Sequence, residues 1–269
     1  MPQTVAVLGT GKIGEALLSG MIRAGWRAAD LLATTRRADR AEELRNRYGV
    51  ETVTNADAAK RADILILAVK PQDMGKLLDE LTPHVTADRL IISAAAGITT
   101  AFIEERLTAG TPVVRVMPNT PVLVDEGMSV ISAGSHALAV HLAHAEGIFG
   151  GVGKTLRVPE SQQDAATALS GSGPAYFYFL VEAMTDAGIL LGLPRAQAHE
   201  LIVQAAIGAA VMLRDSGEHP VKLREAVTSP AGTTISAIRE LENHGVRAAL
   251  IAAIEAARDR SRALATGNG

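Results

Sequence analysis

Two hydroxyl-bearing residues, Thr233 and Thr234, lie where a turn containing Pro230 and Gly232 gives way to a helical pattern of apolar residues. The unpaired N–H groups and the positive dipole end at the start of a helix can bind a carboxylate. A threonine hydroxyl beside such a pocket can hydrogen-bond to the group that carries the carboxylate. Taken alone, the segment is more typical of an ordinary helix N-cap than of a binding site.

A glycine-rich motif near the other end of the chain makes that segment more informative. Gly9, Gly11 and Gly14 follow a predicted strand and open a predicted helix. In this context the first glycine permits a tight turn, the second lets a pyrophosphate approach the backbone, and the third lets helix and strand pack closely. The motif therefore predicts dinucleotide binding rather than a simple glycine-rich turn.

The end of the second predicted strand selects between the two nicotinamide cofactors. NAD enzymes usually carry Asp or Glu there, which accepts hydrogen bonds from the ribose hydroxyls. This chain carries Thr35, Arg36 and Arg37 instead. Guanidinium groups bind phosphate in a charge-assisted, bidentate way, so the segment favours NADPH, with NADH as the alternative. The other interpretation is that both arginines belong to a solvated loop.

Two later strand ends place small residues at the same predicted edge of the sheet. Ala68, Val69 and Lys70 close one strand, and the segment Ala95–Gly97 closes the next. Ligands of open α/β sheets bind at the carboxyl ends of the strands, and small side chains there leave room for a ribose and a nicotinamide. Lys70 can act as a catalytic acid, but a supporting hydrogen bond or a solvated side chain is more common at a strand end.

Short apolar runs alternate with helical patterns through the first 158 residues. The predicted strands are Val5–Leu8, Leu31–Thr34, Ile64–Val69, Leu90–Ser93 and Val113–Val116, and the predicted helices include Gly14–Ala24 and Ala38–Tyr48. This alternation predicts a parallel sheet that is covered on both faces.

The character of the chain changes after Pro159. From Gln162 onward the pattern is helical, with breaks predicted at 171–174, 192–194, 216–220 and 229–232. The stretch from Ala205 to Met212 is apolar nearly all round and must be buried in a core or against another subunit. We therefore predict an α/β Rossmann-type N-terminal domain (residues 1–158) followed by an all-α C-terminal domain (residues 159–269) that binds substrate and dimerises.

Composition narrows the class of protein further. Hydrophobic residues make up 48% of the chain, and the net charge of −3 gives no reason to expect nucleic acid or an anionic membrane as a partner. No cysteine is present, which excludes disulfides and thiolate catalysis. The N-terminus lacks the pattern of a secretory signal, and the uncharged apolar stretches are too short to span a bilayer. We therefore expect a soluble, cytoplasmic protein.

Two further patterns imitate functional sites. The run from Gly151 to Thr155 resembles a P-loop, but the first glycine of that motif is replaced by Ile148 and no strand–loop–helix order follows. Three histidines, His136, His141 and His144, share one predicted helical segment without an acidic or cysteine partner. We interpret them as a solvated helix face and expect no metal.

The turn at 170–174 is shared with the β-hydroxyacid dehydrogenases, which follow it with a catalytic lysine and, one turn later, an asparagine. This chain has Phe177 at the lysine position and Val181 at the asparagine position. The absence of both groups argues against alcohol oxidation through a lysine base.

The chain instead resembles the pyrroline-5-carboxylate reductase family over essentially its full length. The motifs that carry the resemblance are GTGKIG (9–14), AVKP (68–71), SAAAG (93–97), RVMPNTP (115–121), LSGSGPAY (169–176) and LREAVTSPAGTT (223–234). The last motif is the signature of the family and the most specific of the six. One departure is Ala231, where many relatives have a second glycine. Its side chain puts in question the close backbone approach that a glycine would allow at that position.

The resemblance implies reduction of the cyclic imine L-1-pyrroline-5-carboxylate to L-proline by NAD(P)H, the last step of proline biosynthesis. It implies that N–H groups around Ser229, Gly232 and Thr233 hold the substrate carboxylate. Thr234 would orient the protonated imine nitrogen or relay a proton from water, because an alcohol is itself a poor general acid. Together the motifs and the resemblance assign these residues to the cofactor: Gly9, Gly11, Lys12, Ile13, Gly14, Thr35, Arg36, Arg37, Asn55, Ala68, Val69, Lys70, Ala95, Ala96, Gly97, Asn119 and Pro121.

The resemblance also implies a homodimer with a shared active site, since the helical domain of the family dimerises by intertwining. Several members assemble further into a pentamer of dimers. Two alternatives stay open. One is another imine or 2-keto-acid reductase on the same two-domain plan. The other, more distant, is a non-enzymatic NADP-sensing regulator, which would not need the hydroxyl-bearing pocket formed by Thr233 and Thr234.

Overall fold

The structure, a computed structural model, describes residues 3–265 and begins with a large sheet. Its strands are β1 (Val5–Leu8), β2 (Leu31–Thr34), β3 (Glu51–Thr52), β4 (Ile64–Leu67), β5 (Leu90–Ser93), β6 (Val113–Pro118), β7 (Gly127–Ala133) and β8 (Gly153–Arg157). They lie in the order β3-β2-β1-β4-β5-β6-β7-β8. Neighbouring strands are parallel except β6 and β7, which are antiparallel.

The sheet is buried on both faces. All residues of β1, β2, β4 and β5 are buried, and successive side chains enter two different cores because they point to opposite faces of a strand. In β1, Val5 and Val7 belong to one core, and Ala6 and Leu8 belong to the other. A continuous apolar run is therefore required in each strand rather than an alternating one.

Helices cover the sheet and make the crossovers between parallel strands. They are α1 (Lys12–Arg23), α2 (Ala38–Tyr48), α3 (Asn55–Arg61), α4 (Met74–Leu81), α5 (Thr100–Glu104), α6 (Ala139–Gly150) and the single turn α7 (Gln163–Ala166). The chain continues from α7 into a π-helical turn, Thr167–Gly171. The strand order at the centre of the sheet is that of a Rossmann fold, which confirms the predicted fold class.

A second compact unit contains helices alone. It spans Gly173–Ala256, whereas the first unit comprises residues 1–172 and 257–269. Its elements are α8 (Gly173–Leu190), α9 (Arg195–Asp215), α10 (Pro220–Ala226), α11 (Thr233–Asn243) and α12 (Val246–Ala265), of which the last nine residues belong to the first unit. This division follows packing within the chain, and the boundary at 158/159 stays a prediction.

The predicted elements agree with the structure at most positions. Strands β1, β2 and β5 have the predicted bounds, while β4 ends at Leu67, two residues before the predicted end at Val69. Strands β3, β7 and β8 were not predicted. β3 has only two residues, and β8 carries Lys154 and Arg157, so neither shows an apolar run. The helix break predicted at 171–174 is instead a π-helical turn, Thr167–Gly171, that leads almost directly into α8.

Much apolar surface of the helical unit is exposed in the single chain. Phe177, Tyr178 and Phe179 on α8 are all at least 65% exposed, and Leu190 is 88% exposed. By length and composition alone α9 could cross a membrane, although its uncharged stretch is bounded by Glu200 and Arg214. An apolar patch of this size on a helical unit is typical of a surface that a partner covers.

Candidate active site

The glycine-rich loop after β1 has the geometry of a phosphate-binding turn. Gly9 has a φ of +91°, and a Cβ placed on it would lie 2.7 Å from Val69 Cγ1. A Cβ on Gly14 would lie 2.4 Å from the carbonyl oxygen of Gly9, so α1 packs this closely only because residue 14 has no side chain. Gly11 differs from both: within the described residues, nothing beyond its own neighbours lies within 4 Å of an added Cβ. That open space suits a pyrophosphate approaching the backbone.

The first turn of α1 has uncapped backbone N–H groups, while the side chain of Glu15 in that turn is held by hydrogen bonds. Its N-cap is Gly11, and no side-chain hydrogen bond caps the helix within the described residues. The N–H groups at Lys12 and Ile13 are therefore available to an anion. Glu15, in the same turn, accepts hydrogen bonds from Tyr48 and Arg40 on α2. Burial opposes ionisation of this carboxyl, but the hydrogen bonds outweigh it and hold the pKa of Glu15 below its usual value.

The three residues proposed for the 2′-phosphate follow β2 directly. The side chains of Arg36 and Arg37 are 86% and 74% exposed, and Thr35 Oγ1 accepts a long hydrogen bond of 3.4 Å from the Arg37 N–H. Each guanidinium group holds an aspartate. Arg36 Nη2 lies 3.3 Å from Asp73 Oδ2, and Arg37 Nε donates to Asp39 Oδ1 at 3.1 Å. Sequence reasoning missed both aspartates, because spacing alone does not pair them with the arginines.

The segment after β4 lies against the glycine-rich loop. Val69 is the side chain that a Cβ on Gly9 would strike, and Ala68 is half-buried beside it. Lys70 is exposed, and its carbonyl accepts a hydrogen bond of 2.9 Å from the N–H of Asp73. Asn55 begins α3, and its amide donates to Glu80 Oε2 on α4 at 2.8 Å.

The segment after β5 forms a compact turn. Ala95 and Gly97 are buried, Ala96 is half-buried, and Gly97 has a φ of +73°. A left-handed backbone of this kind favours glycine, so the turn that ends β5 depends on Gly97.

Asn119 follows β6 and uses its whole side-chain amide within the protein. Its Oδ1 accepts a hydrogen bond of 2.8 Å from the N–H of Met128 in β7. Its Nδ2 donates to the carbonyl oxygen of Ser170 at 3.2 Å, and Ser170 belongs to the π-helical turn. Pro121 lies in the 3₁₀ turn Thr120–Val124 that follows. The amide of Asn119 therefore joins the end of β6 to β7 and to the π-helical turn, and both of its polar atoms are used within the protein.

The segment predicted to bind the substrate starts α11, in the helical unit, without a side-chain cap. The N-cap residue is Gly232, and no side chain of the described residues caps the helix. The N-cap is thus a glycine rather than a hydroxyl-bearing residue, and Thr233 and Thr234 occupy the first two helical positions, where no side chain of the described residues caps the N–H groups. A Cβ on Gly232 would lie 2.3 Å from Ser229 Oγ, so the turn folds tightly back on that serine. Ala231 has a φ of +55°, a backbone that favours glycine.

The two imitating patterns take ordinary places in the fold. Residues 151–155 lead from α6 into β8, which is helix-to-strand order and the reverse of a P-loop. His141 accepts a hydrogen bond of 3.0 Å at Nδ1 from the N–H of Leu138 and so caps α6. Burial lowers its pKa, and the nearby His144 adds to that effect. Between residues 3 and 265 no group of three metal-ligating side chains is found.

The predicted residues thus fall into two sets. The cofactor set lies in the first unit, at the carboxyl ends of β1, β2, β4, β5 and β6, with Asn55 at the start of α3. Ser229, Gly232, Thr233 and Thr234 lie together in the helical unit.

Comparison with known proteins gives matches to both parts of the chain. A family model described as pyrroline-5-carboxylate reductase dimerisation matches residues 160–264, and one described as NADP oxidoreductase coenzyme F420-dependent matches residues 4–97. A pyrroline-5-carboxylate reductase of Corynebacterium melassecola is 47% identical over 97% of this chain and 98% of its own.

Two solved structures agree with these matches over nearly the whole of each chain. A pyrroline-5-carboxylate reductase from Coxiella burnetii has a TM-score of 0.93 and is 35% identical, covering 98% of this chain and 99% of that one. Pyrroline carboxylate reductase of Plasmodium falciparum, solved with NADP bound, has a TM-score of 0.87 and is 29% identical, covering 98% of both chains.

Proposed function

The chain belongs to the pyrroline-5-carboxylate reductase family, and from this premise we propose how its own residues carry out the reaction. It is an oxidoreductase that reduces L-1-pyrroline-5-carboxylate to L-proline with NADPH, the last step of proline biosynthesis. The observation that supports the residue assignment best is the start of α11, where Gly232 leaves the N–H groups uncapped and two threonines follow at once.

The loop after β1 fits the pyrophosphate of the cofactor. Gly11 offers open space, while Gly9 and Gly14 are packed so closely that no side chain fits. The first N–H groups of α1, at Lys12 and Ile13, would hold the phosphate oxygens. Arg36 and Arg37 with the Thr35 hydroxyl would hold the 2′-phosphate, with NADH as the weaker donor. When bound, the cofactor supplies the hydride.

The other cofactor residues would shape the rest of the groove. The ribose of the cofactor would lie along Ala68, Val69 and Lys70, with Asn55 beside them. Ala95, Ala96 and Gly97 would line the nicotinamide together with the backbone of Asn119 and Pro121. Small side chains at these strand ends allow the close and rigid approach that hydride transfer requires.

The substrate carboxylate would bind at the start of α11. Its partners are the open backbone N–H groups of the first helical turn, at Thr233 and Thr234, together with the hydroxyl of Ser229, which the turn folds back towards them. The N–H of Gly232 itself donates to the carbonyl oxygen of Ser229 at 3.1 Å and so fixes the turn. The helix dipole favours an anion there without a buried arginine. Thr234, one residue further, would direct its hydroxyl to the ring nitrogen. Because an alcohol is a poor acid, its role is to orient the protonated imine or relay a proton from water.

The helical region is the dimerisation region of the family, and the chain forms a homo-oligomer through it. The exposed aromatic run of Phe177, Tyr178 and Phe179 supports a large partner-covered surface. We place the active site across a homodimer, with a pentamer of dimers as the larger assembly. The protein works as a soluble cytoplasmic enzyme on a small-molecule substrate, without nucleic acid or membrane.

A direct assay tests this proposal. The purified protein should oxidise NADPH, followed by its absorbance, when the cyclic imine is supplied. Thiazoline and piperideine carboxylates and simple 2-keto acids, assayed in parallel, separate the intended substrate from those of another imine or keto-acid reductase. Cofactor binding without turnover of any of these compounds would favour an NADP-sensing regulator.

A further inference from the structure

Both arginines of the 2′-phosphate site are neutralised by aspartates of the same chain. Arg36 pairs with Asp73, and Arg37 pairs with Asp39 through two contacts. We propose that Asp39 and Asp73 are specificity-determining residues: they act as internal counter-ions that compete with the 2′-phosphate for the two guanidinium groups, and they thereby reduce the preference for NADPH over NADH. This inference rests on the proposed role of Arg36 and Arg37.

The pair of Arg36 and Asp73 crosses the cofactor edge of the sheet. Arg36 follows β2, and Asp73 ends the short turn Pro71–Asp73 after β4. Strand β1 lies between β2 and β4, so the ion pair links the strand ends on either side of the glycine-rich loop. The Arg36 side chain is 86% exposed and the Asp73 side chain 35% exposed, so the guanidinium group can turn away to another anion.

The pair of Arg37 and Asp39 is placed at the start of α2. Asp39 lies in the first turn of that helix, where the dipole favours a negative charge. Hydrogen bonding from Arg37, with backbone N–H groups of the turn, lowers the pKa of Asp39 to about 2. The carboxylate is therefore ionised throughout the working range of pH, and its charge lies where the 2′-phosphate would bind.

The two cofactors differ in whether they compete with these ion pairs. NADH can bind with both pairs intact, because it has no 2′-phosphate. NADPH brings its 2′-phosphate to guanidinium groups that each already hold a carboxylate. The phosphate must either displace that carboxylate or bind beside it against the repulsion of like charges. Exposed ion pairs of this kind change an equilibrium by a factor of about 1.4 to 5 each. Removing the carboxylates should therefore tighten NADPH binding and leave NADH binding nearly unchanged.

Calorimetric titration of the full-length protein with NADP⁺ and with NAD⁺ tests this inference. Asp73→Asn and Asp39→Asn should each tighten NADP⁺ binding by a factor of about 1.4 to 5 at low salt, and the gain should shrink as salt rises. NAD⁺ affinity should stay within experimental error. Asp88→Asn is the matched control, because it removes the same charge from a 72% exposed side chain in the turn before β5, at the opposite edge of the sheet.

The outcomes separate this inference from the function it rests on. Unchanged NADP⁺ affinity in both variants, or an equal gain for NAD⁺, would overturn the counter-ion role. If replacing Arg36 and Arg37 by alanine still lowered the affinity for NADP⁺ but not for NAD⁺, the 2′-phosphate assignment would stand although the counter-ion role had failed. If neither the aspartate variants nor the arginine variants changed the selectivity for NADP⁺ over NAD⁺, both the counter-ion role and the 2′-phosphate assignment would be refuted. Asp73→Asn carries the test if Asp39→Asn disturbs α2, since the Asp73 side chain caps no helix within the described residues.

Discussion

The side-chain amide of Asn119 donates a hydrogen bond of 3.2 Å to the carbonyl oxygen of Ser170. Through this bond the end of β6 is joined to the π-helical turn Thr167–Gly171, directly before the helical unit begins. Single π-helical turns inside helices are frequent at functional sites. Asn119 thus holds in place the backbone that we assign to the nicotinamide, rather than offering its own amide to the cofactor.

Asn119→Asp should destabilise the protein by about 1–3 kcal/mol at neutral pH, because a carboxylate oxygen would then face the Ser170 carbonyl without a donor between them. The folded state raises the pKa of the new carboxyl, since it disfavours the charged form. The loss is therefore complete above that raised pKa and fades as pH falls towards the ordinary value for Asp, about 3.9. Urea unfolding at several pH values, relative to the unsubstituted protein, measures it.

Ser170→Ala serves as the control for that prediction. It removes only the hydroxyl, which lies 3.4 Å from Asn119 Nδ2, and keeps the carbonyl acceptor. Its stability should change little at any pH. A loss in Asn119→Asp that does not vary with pH would contradict the proposed hydrogen bond.

Thr234→Ala should lower kcat by about one to three orders of magnitude, the range expected for losing one contact made in the transition state. NADP⁺ affinity should stay the same, because Thr234 belongs to the substrate set in the helical unit. Thr234→Ser keeps the hydroxyl and should retain much of the activity. Steady-state kinetics and calorimetry separate the two effects, and full activity of Thr234→Ala would remove this residue from the mechanism.

Ala231→Gly should stabilise the protein slightly, by about 0.5 kcal/mol. A non-glycine residue at positive φ costs about 1–2 kcal/mol, and the greater freedom of glycine in the unfolded chain offsets about 0.5–1 kcal/mol of that. Ala231→Val should do the opposite, because a β-branched side chain fits this backbone worse. Thermal unfolding measures both variants.

The same pair of variants also reports on the site. A more strained turn at residue 231 would shift the start of α11 and the open N–H group of Thr233, so Ala231→Val should raise KM for the cyclic imine more than KM for NADPH. Equal changes in the two constants would mean that the turn acts only through overall stability.

The sequence predicts the central strands and the glycine-rich loop well, because both are encoded locally. A fully buried parallel strand such as β1 needs a continuous apolar run, Gly9 is required by its own positive φ, and Gly14 by its contact with the Gly9 carbonyl oxygen five residues before it. The contacts of Asp73 with Arg36 and of Ser170 with Asn119 join residues far apart in the chain, and no spacing rule predicts them. The left-handed Ala231 was visible only as a departure from the family motif.

Replacing Arg36 and Arg37 together by alanine should raise KM for NADPH about tenfold or more and change KM for NADH little, since charge-assisted hydrogen bonds to a phosphate are lost. Arg27→Ala is a suitable control, because Arg27 is also exposed and paired with an aspartate, at the opposite end of β2. Equal effects on both cofactors would rule out the 2′-phosphate assignment.

Gly11→Ala and Gly14→Ala should separate cofactor binding from folding. Gly11 has an ordinary φ of −75° and open space around an added Cβ, so alanine should leave the free energy of unfolding nearly unchanged. That methyl group would stand where the pyrophosphate approaches, and NADP⁺ affinity should fall about tenfold or more. In Gly14→Ala the added Cβ would meet the Gly9 carbonyl oxygen at 2.4 Å, and overpacking of this kind costs about 1–3 kcal/mol. Urea unfolding and calorimetric titration distinguish the two, and stability lost equally in both variants would mean that the space beside Gly11 is not kept for a ligand.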